Sequence, residues 1–221
     1  MNHPYLLRNV AVTLVAGGMV ATSWTIAASH ESSSDAPTVV DPWSLLAVEG
    51  VESERYASLD SMVDSGNVSI LGTVRSVSAG RAYSDSEDGE TQTLQLVDVE
   101  VAVDDVLAGS PTGTLVTVEF GPYPLEDLDT SIAGLQALLG EQSVYVLRRK
   151  GSGAPTEGVA PDRAEYARGV YRTVSSQGLL DDQDGTTTAP LADIHLQENA
   201  FLSDLVDRPF DEAVAAVDHA G

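Results

Sequence analysis

The residues Leu94-Gln-Leu-Val-Asp-Val-Glu-Val-Ala-Val103 carry the clearest strand pattern of this 221-residue chain. Its apolar residues are even-numbered at Leu94 and Leu96 and odd-numbered from Val97 to Val103. Alternation of polar and apolar residues predicts a strand with one buried face, and a change of phase within the strand indicates a β-bulge. We therefore predict a long, bent strand over residues 92–107.

The segment before it, residues 67–77, has the same alternation. Val68, Ile70, Gly72 and Val74 share one face of the predicted strand, and the phase then shifts to Val77. A glycine in the middle of a strand is unfavourable unless the sheet bends there or another backbone comes close. Residues 81–91, which are acidic, are predicted to form the loop between these two strands.

Further strands are predicted after the turn at 109–113. Residues 114–120 alternate, 142–149 are apolar on both faces from Val144 to Leu147, and Gly169–Ser175 is a weaker strand with a hairpin partner near 178–187. A helix precedes Val144, because the apolar residues Leu128, Ile132, Leu135 and Leu139 lie at helical spacing and Gly140 ends the pattern.

Three more short helices are predicted outside the strands. Residues 53–65 form an amphipathic helix with Gly66 at its C′ position, where a left-handed glycine is common. Near the end of the chain, residues 201–206 carry one apolar face. A second helix starts at Pro209 and places Phe210, Ala213, Val214 and Val217 on one side.

The predicted order, three strands, a helix and two strands, is that of the oligonucleotide/oligosaccharide-binding (OB) barrel. The chain resembles uncharacterised bacterial exported proteins with an OB-barrel-like, netrin/tissue-inhibitor-like domain, in the stretches 67–74, 99–109 with 116–118, and 139–147. The resemblance implies a mainly β fold: a small five- to six-stranded OB-like antiparallel barrel with flanking short helices. The netrin-type cysteines are missing, so that family's protease-inhibitor role is not carried over.

The chain is strongly acidic, with 34 Asp and Glu against 11 Lys and Arg and a net charge of −23. Such a surface repels phosphate backbones and anionic lipids. The one basic cluster is Arg148-Arg149-Lys150, and aromatic residues make up only 5% of the chain. We therefore exclude nucleic acid as a partner, and we interpret this cluster as a strand-end solubility device or a set of local ion pairs.

The N-terminal residues have the layout of an export signal. A short region with Arg8 precedes an uncharged, mostly apolar stretch over 10–28, and small residues close it at Ala27–Ser29. Cleavage after Ala28 or Ser29 is predicted. The alternative is an uncleaved anchor that spans a membrane through residues 10–28. The absence of cysteine from an exported chain favours a bacterial source.

The predicted organisation is therefore a signal peptide or membrane anchor over 1–29, a flexible linker over 30–52, an OB-like barrel domain over 53–190 and a C-terminal helical appendage over 191–221. The location is extracellular or in the cell envelope.

No catalytic, cofactor-binding or metal-binding residue is predicted. Of the four histidines, at 3, 30, 195 and 219, only His195 is expected within a folded body, as a surface or packing residue. The sequence lacks a Gly-x-Ser-x-Gly motif and a His-Glu-x-x-His motif. The acidic stretches Asp85–Glu90 and Asp181–Gly185 do not match the spacing of an EF-hand, and we interpret them as solvated turns.

The sequence thus predicts an exported acidic β-barrel module with a non-enzymatic binding or accessory role, whose partner is an unknown protein or envelope component. Two alternatives stay open. One is a secreted hydrolase that uses a pair of carboxylates, at least one with a raised pKa, in a concave site. The other is a module that binds calcium weakly.

Overall fold

Strands dominate the computed structural model of this chain, which describes residues 41–46, 54–87, 90–150, 169–192 and 200–221. These residues lie in the compact unit that spans 39–221. The strands of the described part are β1 (Val68–Glu87), β2 (Glu90–Gly109), β3 (Leu115–Pro124), β4 (Gln142–Arg149), β5 (Val170–Thr173), β6 (Leu179–Gln183) and β7 (Thr186–Thr188).

Short helices flank the strands. The α-helices of the described part are α1 (Leu59–Ser65), α2 (Leu125–Leu135), α3 (Ala200–Ser203) and α4 (Phe210–Ala220). Turns of 3₁₀-helix occur at Pro42–Leu46, Gln136–Leu138 and Ser176–Gly178. The prediction of a mainly β chain with short helices is confirmed.

The strands form one sheet in the order β1-β2-β3-β5-β4-β6-β7, and β1 also pairs with β4. The sheet has seven strands where five or six were predicted, because 179–188 forms a complete hairpin. The prediction of a purely antiparallel sheet is wrong, since β3 and β5 are parallel. The antiparallel pairings β1–β2, β2–β3 and β1–β4 make β3 and β4 run in opposite directions. Because β5 lies between them and runs antiparallel to β4, it is parallel to β3.

Two hydrophobic cores lie on opposite faces of the sheet. The first core contains the inward residues of β1, β2 and β3, with Trp43 and residues of α2. The second core joins the other face of β4 to α1, α3 and α4. On β4, Tyr145 and Leu147 belong to the first core and Val144 and Val146 to the second. This position between two cores explains why β4 is apolar on both faces.

The changes of phase correspond to irregular pairing, as predicted. The β1–β2 register shifts between Leu71 and Gly72 and between Val74 and Ser76, and the β2–β3 register shifts between Gln95 and Val97. At Gly72, a Cβ would lie 2.5 Å from Cγ1 of Val101 and 2.8 Å from the carbonyl oxygen of Ala102. A glycine is needed here because the neighbouring strand approaches too closely for a side chain.

The loop predicted over residues 81–91 is wrong. β1 continues to Glu87 and β2 begins at Glu90, so both strands extend into a long hairpin with pairing as far as Glu87 and Glu90. Residues 84–93 carry no apolar side chain, so no alternation marks them as strands. Pairing with the neighbouring strand can order such residues where their own propensity does not.

The helix predicted around Leu128 is confirmed, except at its end. Leu128 and Leu135 are buried, but Leu139 is 45% exposed and Leu138 takes the buried position. The last turn, Gln136–Leu138, is a 3₁₀-helix. Because a 3₁₀-helix has three residues per turn instead of 3.6, the buried face advances by one residue. Gly140 follows with a φ of 92°, which suits glycine.

Helix α1 is shorter than predicted. It begins after Ser58, whose side chain accepts a hydrogen bond from the backbone N–H of Ser61. The hydroxyl of Ser61 in turn accepts one from the backbone N–H of Ser58, which completes a capping box. Gly66 ends the helix as predicted, with φ −74° and ψ 168°, in an extended rather than a left-handed conformation. Its small size matters instead, because a Cβ there would lie 3.1 Å from the carbonyl oxygen of Leu147.

Part of the segment predicted as a linker is folded. The turn Pro42–Leu46 places Trp43 in the first core, where the indole is fully buried. Its ring lies 5.8 Å from that of Phe120 and 6.2 Å from that of Tyr145, in tilted and edge-on geometry. These are favourable aromatic arrangements, so the turn is held to the sheet by its own side chain.

Candidate functional site

Helix α4 is fastened to the β6–β7 hairpin. Asp184 and Gly185 form the hairpin turn with φ angles of 55° and 83°. The carbonyl oxygen of Gly185 accepts a 3.0 Å hydrogen bond from the N–H of Phe210, and Thr186 forms a bridge with Pro209. The start of the helix therefore has a fixed position beside the sheet.

A cleft opens between α4 and the sheet, with a volume of about 490 Å³. This volume lies within the range of sites that bind small molecules or side chains of a partner. Its apolar base consists of the buried or half-buried residues Leu71, Leu107, Phe210 and Val214. The remaining lining residues in the described part of the chain are Asp105, Gln142, Asp182, Gly185, Asp211, Ala215 and Asp218.

Four carboxylates from three parts of the fold border the cleft. Asp105 lies on β2, Asp182 on β6, and Asp211 and Asp218 on α4. Asp105, Asp211 and Asp218 are exposed, and Asp182 is half-buried. The Oδ1 atom of Asp182 accepts a 2.7 Å hydrogen bond from the N–H of Gly185, which closes the hairpin turn.

No lysine, arginine or histidine of the described residues lines this cleft. Arg148 and Arg172 pair with Glu54, Arg81 and Lys150 with Glu119, and Arg208 with Glu212, and none of these ion pairs involves a cleft carboxylate. The cleft is therefore a site of concentrated negative charge above an apolar base, a combination that favours ligands with both a cationic and an apolar part.

The basic cluster at 148–150 is used within the fold, and the prediction of local ion pairs is confirmed. Arg148 donates to Glu54 at 2.8 Å and to the hydroxyl of Tyr56 at 3.0 Å. Arg172 reaches the same carboxylate at 3.2 Å. Burial raises the pKa of Glu54, but hydrogen bonds and charge from Arg172 and Arg148 outweigh it and hold this pKa below its usual value.

The other two residues of the cluster point to different partners. The Nζ atom of Lys150 contacts the carboxylate of Glu119, whose side chain is fully buried, and Arg81 lies 3.6 Å from the same carboxylate. The guanidinium of Arg149 lies 5.6 Å from the ring centre of Tyr171, within cation–π range.

A separate polar cluster lies inside the first core, around Asp181. Its Oδ1 atom accepts a 2.9 Å hydrogen bond from the indole of Trp43 and a 2.6 Å hydrogen bond from the hydroxyl of Ser143. Burial raises the pKa of Asp181 to about 6, against the lowering effect of these two hydrogen bonds, and the charges of Asp41 and Glu141 raise it further. Burial also raises the pKa of the Tyr145 hydroxyl.

The two acidic stretches considered as calcium sites lie in different parts of the fold. In Asp181–Gly185, Asp181 turns into the first core while Asp182 and Gly185 line the cleft, so these residues do not converge. Of the stretch Asp85–Glu90, residues 85–87 and 90 lie at the paired end of the long hairpin, and residues 88 and 89 and the side chains of the stretch fall outside the described part of the chain. Within the described ranges, no group of three or more His, Asp or Glu could hold a metal ion.

Of the histidines, His219 lies exposed in the last turn of α4, while positions 3, 30 and 195 fall outside the described residues. The predicted export segment, residues 1–29, also falls outside them. In the described part of the chain, no helix is long and apolar enough to cross a membrane.

Comparison of the chain with protein-family models, curated proteins and solved structures gives no match.

Sequence reasoning did not identify the cleft. One local signal was present: Asp211, Ala215 and Asp218 lie at i, i+4 and i+7 of a predicted helix, next to its apolar face. Asp105 and Asp182 join them only through the pairing of distant strands. With 34 acidic residues in the chain, nothing in the local sequence distinguishes Asp105 or Asp182 as a cleft residue.

Proposed function

We propose that this chain is a non-enzymatic binding module that acts in the cell envelope or extracellular space and receives a partner in the cleft between α4 and the sheet. The observation that carries the proposal is the combination of an apolar base with four carboxylates that take part in none of the ion pairs observed among the described residues. The export-type N-terminus supports the location.

We also propose that the scaffold is an OB-type barrel. Strand pairings run from β1 through β2, β3, β5 and β4 and return to β1. The helix α2 lies between β3 and β4 in the chain, as the OB order requires. The additional strands β6 and β7 extend the sheet from β4 and carry the turn that positions α4.

The face by which OB barrels usually bind nucleic acid is unsuited to phosphate in this chain. That face is formed by strands 2 and 3. Val97, Val99 and Val101 point into the first core, so Asp98 and Glu100 lie on the opposite face of β2, and Asp98 pairs with Glu119 of β3. Glu119 itself is buried and paired with Lys150 and Arg81, so Asp98 and Glu100, together with the net charge of −23, are what repel phosphate. A protein or envelope partner is therefore favoured over nucleic acid.

The alternative of a carboxylate-dependent hydrolase has less support. It needs a concave site with two facing acids, one of which has a raised pKa. Asp181 has a raised pKa, but it does not line the cleft. Its carboxylate is instead bonded to Trp43 and Ser143 inside the first core.

Occlusion of the cleft tests the binding proposal. Ala215 lines the cleft and is exposed, so Ala215→Trp fills it without disturbing either core. Ala133→Trp, at an exposed position of α2, is the matched control. We expect A215W to abolish the capture of partners from extracellular and envelope fractions, and A133W to retain it. Equal capture by both variants, or hydrolase turnover that only A215W loses, would reject the proposal.

A further inference from the structure

We propose that the cleft recognises a segment of a partner polypeptide in which lysine or arginine residues flank an apolar side chain. This inference rests on the proposed function, because it names the ligand of the same cleft. It is drawn from the chemistry of the lining residues: an apolar base and a border of carboxylates.

The base selects the apolar part of the ligand. Leu107 and Phe210 are 6% exposed, and both belong to the second core, so their position does not depend on a ligand. Leu71 and Val214 pack against the same core and remain half-buried. A ligand side chain of leucine size would cover this remaining apolar surface, which is favourable by roughly 25 cal/mol per Å².

The border selects the charge. Asp105 on β2 and Asp211 and Asp218 on α4 are exposed and line the cleft. The basic residues that could have neutralised them are engaged elsewhere: Arg81 and Lys150 with Glu119, Arg148 and Arg172 with Glu54, and Arg208 with Glu212. The negative potential of the cleft is therefore not compensated by these residues and attracts cations from outside.

The number and spread of the carboxylates favour a peptide over a single amine. Four carboxylates on three elements surround the base, so one ammonium group would contact only part of the border. A cleft of about 490 Å³ also exceeds the volume of one lysine or arginine side chain. A peptide with a cation on each side of an apolar residue matches both the size and the charge of the cleft.

The test is a binding titration on the full chain, with blocked peptides that carry a neutral fluorophore. The probes are Lys-Leu-Lys, the uncharged Gln-Leu-Gln and the peptide without an apolar side chain, Lys-Gly-Lys, with octylammonium as the small amine. We expect Lys-Leu-Lys to bind at least about fivefold more tightly than each other probe, and to lose this advantage in about 0.5 M salt.

Variants locate the binding. We expect Asp105→Asn with Asp218→Asn to weaken Lys-Leu-Lys about tenfold, while Asp129→Asn, at an exposed position of α2, changes it by less than about twofold. If A215W loses binding but the wild type binds Lys-Leu-Lys and Gln-Leu-Gln equally, the proposal of a cationic ligand is overturned and the proposal of a binding module stands. Tighter binding of octylammonium than of Lys-Leu-Lys would likewise overturn the peptide ligand and leave the binding module standing. Binding unchanged in A215W, or weakened equally by D129N, would overturn the cleft itself.

Discussion

The indole N–H of Trp43 donates a 2.9 Å hydrogen bond to the carboxylate of Asp181, which lies 138 residues later in the chain. The bond joins a 3₁₀ turn at the start of the folded unit to strand β6 near its end. Both residues are buried. The buried carboxylate of Asp181 therefore relies on hydrogen bonds from Trp43 and Ser143.

Asp181 makes the stability of the protein depend on pH in an unusual direction. Its pKa is about 6 in the folded chain, above the ordinary value of 3.8, so the folded state holds the proton more tightly. The stabilising contribution is therefore fully present below pH 3.8 and is lost as the pH rises through 6. Asp181→Asn keeps an oxygen for both donors and removes the titration.

We expect D181N to be more stable than the wild type at pH 7.5. The difference between the two proteins should shrink by on the order of 2–3 kcal/mol between pH 7.5 and pH 4, as measured by urea unfolding. Charge repulsion across the acidic surface changes equally in both proteins, so the difference isolates this site. Parallel pH profiles for the two proteins would contradict the assignment.

Trp43 contributes both ring packing and a hydrogen bond to the first core. Trp43→Phe removes the donor and leaves part of the indole volume empty, so it should lower the free energy of unfolding by about 2–4 kcal/mol at pH 7.5. The loss should be smaller in the D181N background, because losing one of two donors is less unfavourable for a neutral amide oxygen than for a buried carboxylate. A double-mutant cycle in urea measures this coupling, and additive effects would argue against the bond.

The buried and exposed ion pairs of the chain should differ in strength. The side chain of Glu119 is fully buried beside Lys150, whereas Arg208 and Glu212 are each 58% exposed. Lys150→Met leaves a buried carboxylate with Arg81 as its remaining cationic partner, and should lower stability by about 2–3 kcal/mol. Arg208→Met should change it by less than about 1 kcal/mol. If the two variants lose similar amounts of stability in thermal and urea unfolding, the predicted difference between the buried and the exposed ion pair is refuted.

Gly72 tests the close contact between β1 and β2. In Gly72→Ala, the added methyl would meet Val101 and the backbone of Ala102, so stability should fall by about 2–3 kcal/mol. Gly113 is the control: a Cβ there would have no contact closer than 3.7 Å, and Gly113→Ala should be neutral within about 0.5 kcal/mol. A neutral G72A variant would show that the strands are farther apart than described.

Much of the sheet was predictable because burial imposes local patterns. The change of phase after Leu96 and the two-sided apolar character of Val144–Leu147 each corresponded to an observed bulge or buried strand. The glycine at position 72 signalled a close approach. These features depend on which side of a strand is buried, and the sequence records that choice directly.

The remaining features depend on contacts between distant residues. The parallel pairing of β3 with β5 follows from the insertion of one strand, and the hairpin near Glu87 is ordered by pairing between polar segments. Trp43 lies in a segment that the sequence predicts as a linker, because its partners Phe120, Tyr145 and Asp181 are far away in the chain. The cleft was missed for the same reason.

Site-specific photo-crosslinking tests whether the cleft receives a partner polypeptide. A photoreactive phenylalanine derivative placed at Ala215 in the full chain would lie in the cleft, and the same residue at Ala133 would lie on α2. We predict a discrete crosslinked polypeptide from position 215 in extracellular or envelope fractions, with lysine or arginine beside the attached residue, and none from position 133. The same products from both positions, or none from position 215, would show that the cleft does not receive a partner polypeptide.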